Sequence, residues 1–195
     1  MDTAGGKVDD VSAIAPHRIG RALAALVFAA ALTLAAPGVA GAARSNRKPL
    51  TAAQRALLRS TELWVTVDVC SPSDQPNTLG VRGSMPGDGH ARDRMYMSFR
   101  VQYQDATSGR WIDLASSRAA WVAVGGGGSS RQDGSSFQIT PAAGRPAFAL
   151  RGVVDFQWRR GGTVLLSVSR ASTAGHKSLA GADPADYSAA TCSIG

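Results

Sequence analysis

The chain has 195 residues, 44% hydrophobic and 18% charged, with 21 Lys plus Arg against 14 Asp plus Glu and a formal charge of +7 at pH 7. A surplus of this size is compatible with an anionic partner such as nucleic acid, a teichoic-type polymer or a membrane surface. The basic residues are scattered, however, with Arg159 and Arg160 the one adjacent arginine pair and no Lys/Arg run of five. That favours a solvated, mildly basic surface, and no specific nucleic-acid partner is expected.

The first pattern along the chain is a leader. His17, Arg18 and Arg21 make a basic start, Ala22 to Ala36 is an uncharged, mostly apolar run, and Pro37-Gly38 breaks it. Ala40-Gly41-Ala42 then offers the small side chains that a signal peptidase pocket admits. The pattern predicts a secretory signal helix over residues 1–42, cleaved after Ala42, with Ala43 the next candidate. The other reading is a retained anchor, because Ala22 to Ala43 is long enough to span a bilayer. In both, the basic flank stays inside and the remainder is exported.

Residues 43–61 read as a basic tail, with Arg44, Arg47 and Lys48, followed by a short helix. Thr51-Ala-Ala-Gln54 is a capping box, in which the hydroxyl and the amide satisfy free backbone N–H groups at a helix start. Ala52 to Arg59 follows as two turns with Leu57 and Leu58 on one side, too short to be stable alone.

From Glu62 the period changes to two, and residues 62–195 read as one β domain. Leu63, Val65, Val67 and Val69 alternate with Trp64, Thr66, Asp68 and Cys70, predicting a half-buried strand. Ser71 to Asn77 is a turn, Leu79 to Met85 a shorter strand, and Pro86 to Arg92 a loop. Met95 to Tyr103 alternates as a long strand, Asp105 to Arg110 turns the chain, and Trp111 to Leu114 returns. Ala120 to Val124 is a short strand. Gly125 to Ser136, rich in Gly and Ser, reads as a flexible loop, and Phe137 to Thr140 as a short apolar stretch. Phe148 to Trp158 is the second long strand, Arg160-Gly161-Gly162 a turn, and Thr163 to Arg170 its partner. Ala171 to Ala185 is irregular, and Tyr187 to Ile194 forms a last strand. Seven to eight strands and no long amphipathic helix predict an all-β, antiparallel β-sandwich.

Cys70 and Cys192 are the two cysteines. An oxidising compartment and a single available pairing predict a Cys70–Cys192 disulfide between the first and last strands. The lack of a C-x-x-C spacing argues against a catalytic dithiol.

The long strand 94–104 with its hairpin to Trp111, and the paired strands 147–159 and 163–170, resemble immunoglobulin-like and fibronectin type III-like domains. The resemblance spans about 62–193 and is architectural: Tyr187 lies five residues before Cys192, where a tyrosine corner places it two before, and a first-to-last disulfide departs from the usual pair. The stretch from Thr173-Ala-Gly-His-Lys to Thr191-Cys-Ser-Ile is similar to the C-terminal ends of uncharacterised secreted actinobacterial proteins. Such a resemblance implies a fold and an address, not an activity.

Few residues offer chemistry. Asp88-Gly89-His90-Ala91-Arg92-Asp93 gathers two carboxylates and an imidazole, but at no trusted zinc or calcium spacing, and these types read as turn residues in a Gly/Pro loop. His176 reads as a loop residue. Ser45 to Lys48 fits S-x-x-K without its partner motifs, G-x-S-x-G is missing, and Gly125 to Gly128 lacks the Lys-Ser/Thr of a phosphate loop. No catalytic residue, metal or cofactor is expected. Trp158 shares a face with Phe156 and Val154 and reads as core. Trp64, Trp111 and Trp121 are candidate contacts, since an exposed ring stacks on sugars, and Arg159 and Arg160 are candidates for an acidic partner. The loops 71–78, 86–93 and 125–136 and the turn 159–162 could carry contacts. The sequence therefore reads as an exported, non-enzymatic binding or interaction module for a cell-surface polysaccharide or another envelope protein. A carbohydrate-binding or cell-wall hydrolase domain and a structural envelope component are the alternatives.

Overall fold

The computed structural model describes residues 48–195 apart from 119, 145 and 177–179. The leader, its cleavage residues Ala40, Ala42 and Ala43, and the tail up to residue 47 lie outside the described residues. Among the described residues no helix is long and apolar enough to cross a membrane.

Helix α1 spans Ala52–Leu58 and closes its capping box: the Gln54 amide N–H donates to Thr51 Oγ1 at 3.1 Å, and the Thr51 N–H to Gln54 Oε1 at 2.9 Å. Seven residues cannot sustain a helix in water, so docking holds it. Gln54 Nε2 donates to the Leu165 carbonyl at 2.7 Å, Arg170 Nη2 donates to the Leu58 carbonyl at 3.1 Å, and Leu57 and Leu58 rest on the core.

Nine strands follow among the described residues: β1 Trp64–Cys70, β2 Thr78–Met85, β3 Arg94–Gln104, β4 Trp111–Asp113, β5 Val122–Gly126, β6 Arg131–Gln138, β7 Phe148–Arg160, β8 Thr163–Ala171 and β9 Cys192–Ile194. They form two antiparallel sheets. The smaller has the order β1-β2-β6. The larger runs β4-β3-β7-β8, with β5 on β3 and β9 on β7. The fold is all-β, as expected, with more strands than the seven to eight predicted. The added strand is β6, which lies in the segment read as a flexible loop. Its eight residues pair with β2 without a register break, so a ladder to a neighbour orders a stretch whose composition is that of a linker.

Two further expectations change. The predicted last strand over 187–194 is confined to 192–194. Strand β1 is buried on both faces, with Thr66 and Asp68 as inaccessible as the valines beside them. The cause is three residues of the connection between β8 and β9, 173, 183 and 189, which line the free edge of β1. There the Thr173 N–H donates to the Val65 carbonyl at 2.8 Å, Val67 and Ala189 exchange N–H···O bonds of 2.9 and 3.0 Å, and the Asp183 N–H reaches the Asp68 carbonyl at 2.9 Å. Thr66 Oγ1 meets Ser188 Oγ at 2.8 Å, and Asp68 accepts from Arg82 Nε at 2.8 Å, so the covered polar groups stay satisfied.

The two sheets share one core. Val65, Val67, Leu79, Val81 and Met85 of the smaller meet Met95, Met97, Phe99, Leu150, Val154, Phe156 and Trp158 of the larger. They come close together at Gly152, where a Cβ would lie 2.4 Å from Val81 Cγ1. The predicted disulfide is present: Cys70 at the end of β1 is bonded to Cys192 at the start of β9, 122 residues apart and in the other sheet.

Candidate binding face

Strand alternation sorts β3 and β7 into an inner and an outer row. Met95, Met97, Phe99 and Val101 enter the core, so Arg94, Tyr96, Ser98, Arg100 and Gln102 stand on the outer face of the larger sheet. On β7, Leu150, Val154, Phe156 and Trp158 are inside, and Arg151, Asp155, Gln157 and Arg159 are outside. The register sets Arg94 opposite Arg159, Tyr96 opposite Gln157, Ser98 opposite Asp155 and Gln102 opposite Arg151. Trp111 joins the same face through its pairing with Gln104, and Trp121 lies just before β5, whose Ala123 pairs with Tyr96.

Two arginine–aromatic stacks result. At one end the Arg159 guanidinium lies over Tyr96 at 4.1 Å from the ring centroid and near Trp121 at 5.2 Å. At the other, Arg151 lies over Trp111 at 4.4 Å. A glutamine locks each in place: Arg159 Nε donates to Gln157 Oε1 at 2.7 Å, and Arg151 Nε to Gln102 Oε1 at 2.8 Å. Between them Arg100 pairs with Asp155 and with Asp113, and Ser169 Oγ also bonds Asp155. Asp113 is held below the usual carboxylate range, first by the Gln102 amide at 2.7 Å and then by the Arg100 charge. Partial burial and the nearby Arg100 charge depress Arg151 in turn. Trp121 is 39% exposed, beside the exposed Val122.

The other candidate residues lie elsewhere. Trp64 stacks on His176, with ring centroids 4.3 Å apart, and burial lowers the pKa of that imidazole. Trp158 is core as expected, its indole N–H donating to the Pro86 carbonyl at 2.9 Å. Arg160 turns to the loop 86–93, where its Nε and Nη2 grip the two oxygens of Asp93 at 2.8 and 2.7 Å. That loop is sewn to the chain between β5 and β6: the Gly127 N–H donates to the Asp93 carbonyl at 2.9 Å, and the Gly89 N–H to the Gly127 carbonyl at 3.0 Å. A side chain at Gly127 would collide with Asp88 Oδ1, 2.2 Å from the position of a Cβ.

Asp88, His90 and Asp93 thus come together, with one donor atom of each within 4.8 Å of the others, a set that could hold a cation. The Asp88 carboxylate also accepts from the His90 N–H at 2.9 Å, the turn bond expected of an aspartate in such a loop. The positive charge already in place is the Arg160 guanidinium, which holds Asp93 below its ordinary range, while burial pushes Asp88 up. A cavity of about 500 Å³ opens beside this cluster, floored by Trp158, Leu165 and Leu166 and walled by α1.

Sequence reasoning missed Tyr96, Arg94 and Arg151. The available signal was parity: Tyr96 alternates with core methionines, and Arg151 and Arg159 share the outer parity of one long strand. No family model matches the chain, and neither does any curated protein. Among solved structures, an alkylpurine DNA glycosylase from Pseudomonas fluorescens, bound to DNA containing an abasic site analog, is similar over 57% of this chain and 29% of that one, at 15% identity and a TM-score of 0.30. The sporulation control protein of Bacillus subtilis is similar over 57% of this chain and 48% of its own, at 16% identity and a TM-score of 0.28. The match spans less than half the length of either protein, and likeness this slight carries no argument about fold or activity.

Proposed function

We propose that this protein is an exported, non-enzymatic binding module, an immunoglobulin-like or fibronectin type III-like sandwich that engages a cell-surface polysaccharide through the outer face of its larger sheet. The observation that carries the reading is the pair of arginine–aromatic stacks at the two ends of that face. Rigid aromatics with ordered cations form contact surfaces at low entropic cost. Two antiparallel sheets around one core support the sandwich, and the disulfide supports an oxidising destination, to which the 1–42 leader would deliver the chain. Incubation of the purified protein with cell-wall polysaccharide, followed by pull-down, tests the reading. Retention that is lost in Arg159→Ala combined with Trp121→Ala is expected, and a protein that no wall fraction retains would sink it. N-terminal sequencing of exported material tests delivery, with a new terminus near Ala43 expected.

A hydrolase reading has one observation in its favour, the Asp88–Asp93 pair beside the 500 Å³ cavity. Against it, Asp93 is 1% exposed with both oxygens on Arg160, so it cannot reach a glycosidic bond as base or nucleophile. Release of soluble sugar from the same polysaccharide, abolished by Asp88→Asn, would replace the binding reading with this one.

A further inference from the structure

We infer that the ligand of this face is a linear anionic glycan, bearing a carboxylate or phosphate in its repeat, bound by Arg94, Arg151 and Arg159 instead of by sugar rings stacked on tryptophan. The inference rests on the binding face proposed above and names its ligand class.

The tryptophans themselves argue against a neutral sugar. Each partly exposed tryptophan already has a polar group on one of its two ring faces, Trp64 the His176 imidazole, Trp111 Arg151 and Trp121 Arg159, so a sugar would have only the opposite face to stack on. On the outer face of the larger sheet, Trp111 and Trp121 serve as platforms, and the groups laid on them are guanidinium ions. A guanidinium fixed on an aromatic plane keeps its charge and has less freedom to lose when it meets a carboxylate or phosphate.

The charge balance points the same way. The two aspartates of the face, Asp113 and Asp155, are both engaged by Arg100, and Asp113 also by Arg118. Among the described residues no carboxylate oxygen pairs within 4 Å with Arg94, Arg151 or Arg159. Arg94 and Arg159 are direct cross-strand partners, and like charges in that relation repel. An anion seated between them would relieve the repulsion. Arg151 and Arg159 have protein acceptors for their Nε atoms, and among the described residues none accepts from their terminal nitrogens. These are the donors that form two-pronged bonds to carboxylate or phosphate.

Spacing selects a polymer over a small anion. Arg151 and Arg159 stand eight residues apart on the same face of one strand, or about 27 Å at the rise of a β-strand. One small anion cannot touch both, whereas a chain of several sugars laid along β7 can.

The test uses the full purified chain and four immobilised polymers: polygalacturonate, a capsular polysaccharide whose sugars are joined through phosphodiesters, neutral dextran and duplex DNA. Binding is measured at low and high salt. Expected are retention on one or both anionic glycans, none on dextran, and a steep loss with added salt. The first two polymers distinguish a carboxylate from a phosphate ligand. Arg151→Gln and Arg159→Gln should each weaken binding about tenfold, the scale of one charged hydrogen-bonding group, and the double variant should abolish it. The charge-matched Arg55→Gln on α1 should leave it intact, and unchanged melting temperatures would show that all variants fold. Salt-insensitive retention on dextran, lost in Trp121→Ala, would overturn the anionic assignment and leave the binding-module reading standing. Equal retention on DNA would mean general charge attraction and overturn the glycan assignment. Retention on none of the four, with wall material also unbound, would overturn both readings.

Discussion

Trp158 donates its indole N–H to the carbonyl of Pro86, a bond of 2.9 Å inside the protein that ties the loop 86–93 to the centre of the larger sheet. An aromatic side chain of the core, 1% exposed, therefore also positions a loop that carries two carboxylates and an imidazole. Trp158→Phe keeps a ring in the core but leaves that carbonyl without its donor. A loss of about 1–3 kcal/mol is expected from the unsatisfied group, read by urea denaturation. Faster hydrogen exchange at Gly89 and Asp93 should accompany it. An unchanged midpoint would mean that the bond does not anchor the loop.

The Cys70–Cys192 bond closes the longest covalent loop available to this chain, joining two sheets across 122 residues. Its removal in the Cys70→Ala, Cys192→Ala double variant should cost about 2–4 kcal/mol, with the loop-entropy figure of about 5 kcal/mol as a ceiling. The single variants should behave alike, since either leaves one unpaired thiol. Chemical denaturation with and without reductant checks both statements.

At Gly152 the two sheets come close enough that even one methyl group would press on Val81, 2.4 Å away. Gly152→Ala should destabilise by about 1–3 kcal/mol through overpacking. Adding Val81→Ala to it should recover part of the loss, because the clash and the relief share one site. Additive losses from the two changes would show that the β2–β7 contact is not the limiting one.

The acid pair in the loop 86–93 gives opposite pH signs. The Arg160 hydrogen bonds depress Asp93, so its contribution is present above the ordinary aspartate pKa of 3.8 and is lost as pH falls through the folded value. Burial raises Asp88, so its contribution is present below 3.8 and is lost as pH rises through its folded value. Asp93→Asn should therefore lower the melting temperature at neutral pH, and Asp88→Asn should raise it. A fall in both variants would mean that Asp88 acts as a required carboxylate.

His176, lowered by burial beside Trp64, favours its neutral form in the folded protein. Its contribution is present above the ordinary histidine value of 6.5 and declines as pH falls below it. The melting temperature should drop between about pH 7 and pH 5, and less steeply in His176→Phe, which keeps the stack and cannot titrate. Parallel curves for the two proteins would remove His176 from the account.

What the sequence made legible was whatever depends on near neighbours. The alternation of Met95 to Tyr103 and of Phe148 to Trp158 announces two strands and their inner faces without outside help. Thr51 and Gln54 announce the helix start, and two cysteines permit one pairing. Features set by distant partners were not legible. The residues Arg131 to Gln138 form a strand because β2 offers a ladder, while their own composition suggests a linker. Asp93 is closed off by Arg160, 67 residues away, so a turn and an ion-pair cluster look the same in the local sequence. The stacks on Trp111 and Trp121 depend on register, which places Arg151 and Arg159 beside rings from other strands.

The irregular chain along β1 has a consequence for how copies of this protein meet. A valine-rich strand with a vacant edge recruits other strands and seeds fibrous association. Here that edge is taken by residues 173, 183 and 189, which are not themselves a strand and cannot pass the pattern on. The covalent bond at Cys192 pins the end of this cover to the strand it protects. A reducing compartment would thus do more than loosen the fold. It would unlatch the cover and leave a sticky edge bare, so that folding with the two thiols still reduced becomes a hazard of self-association.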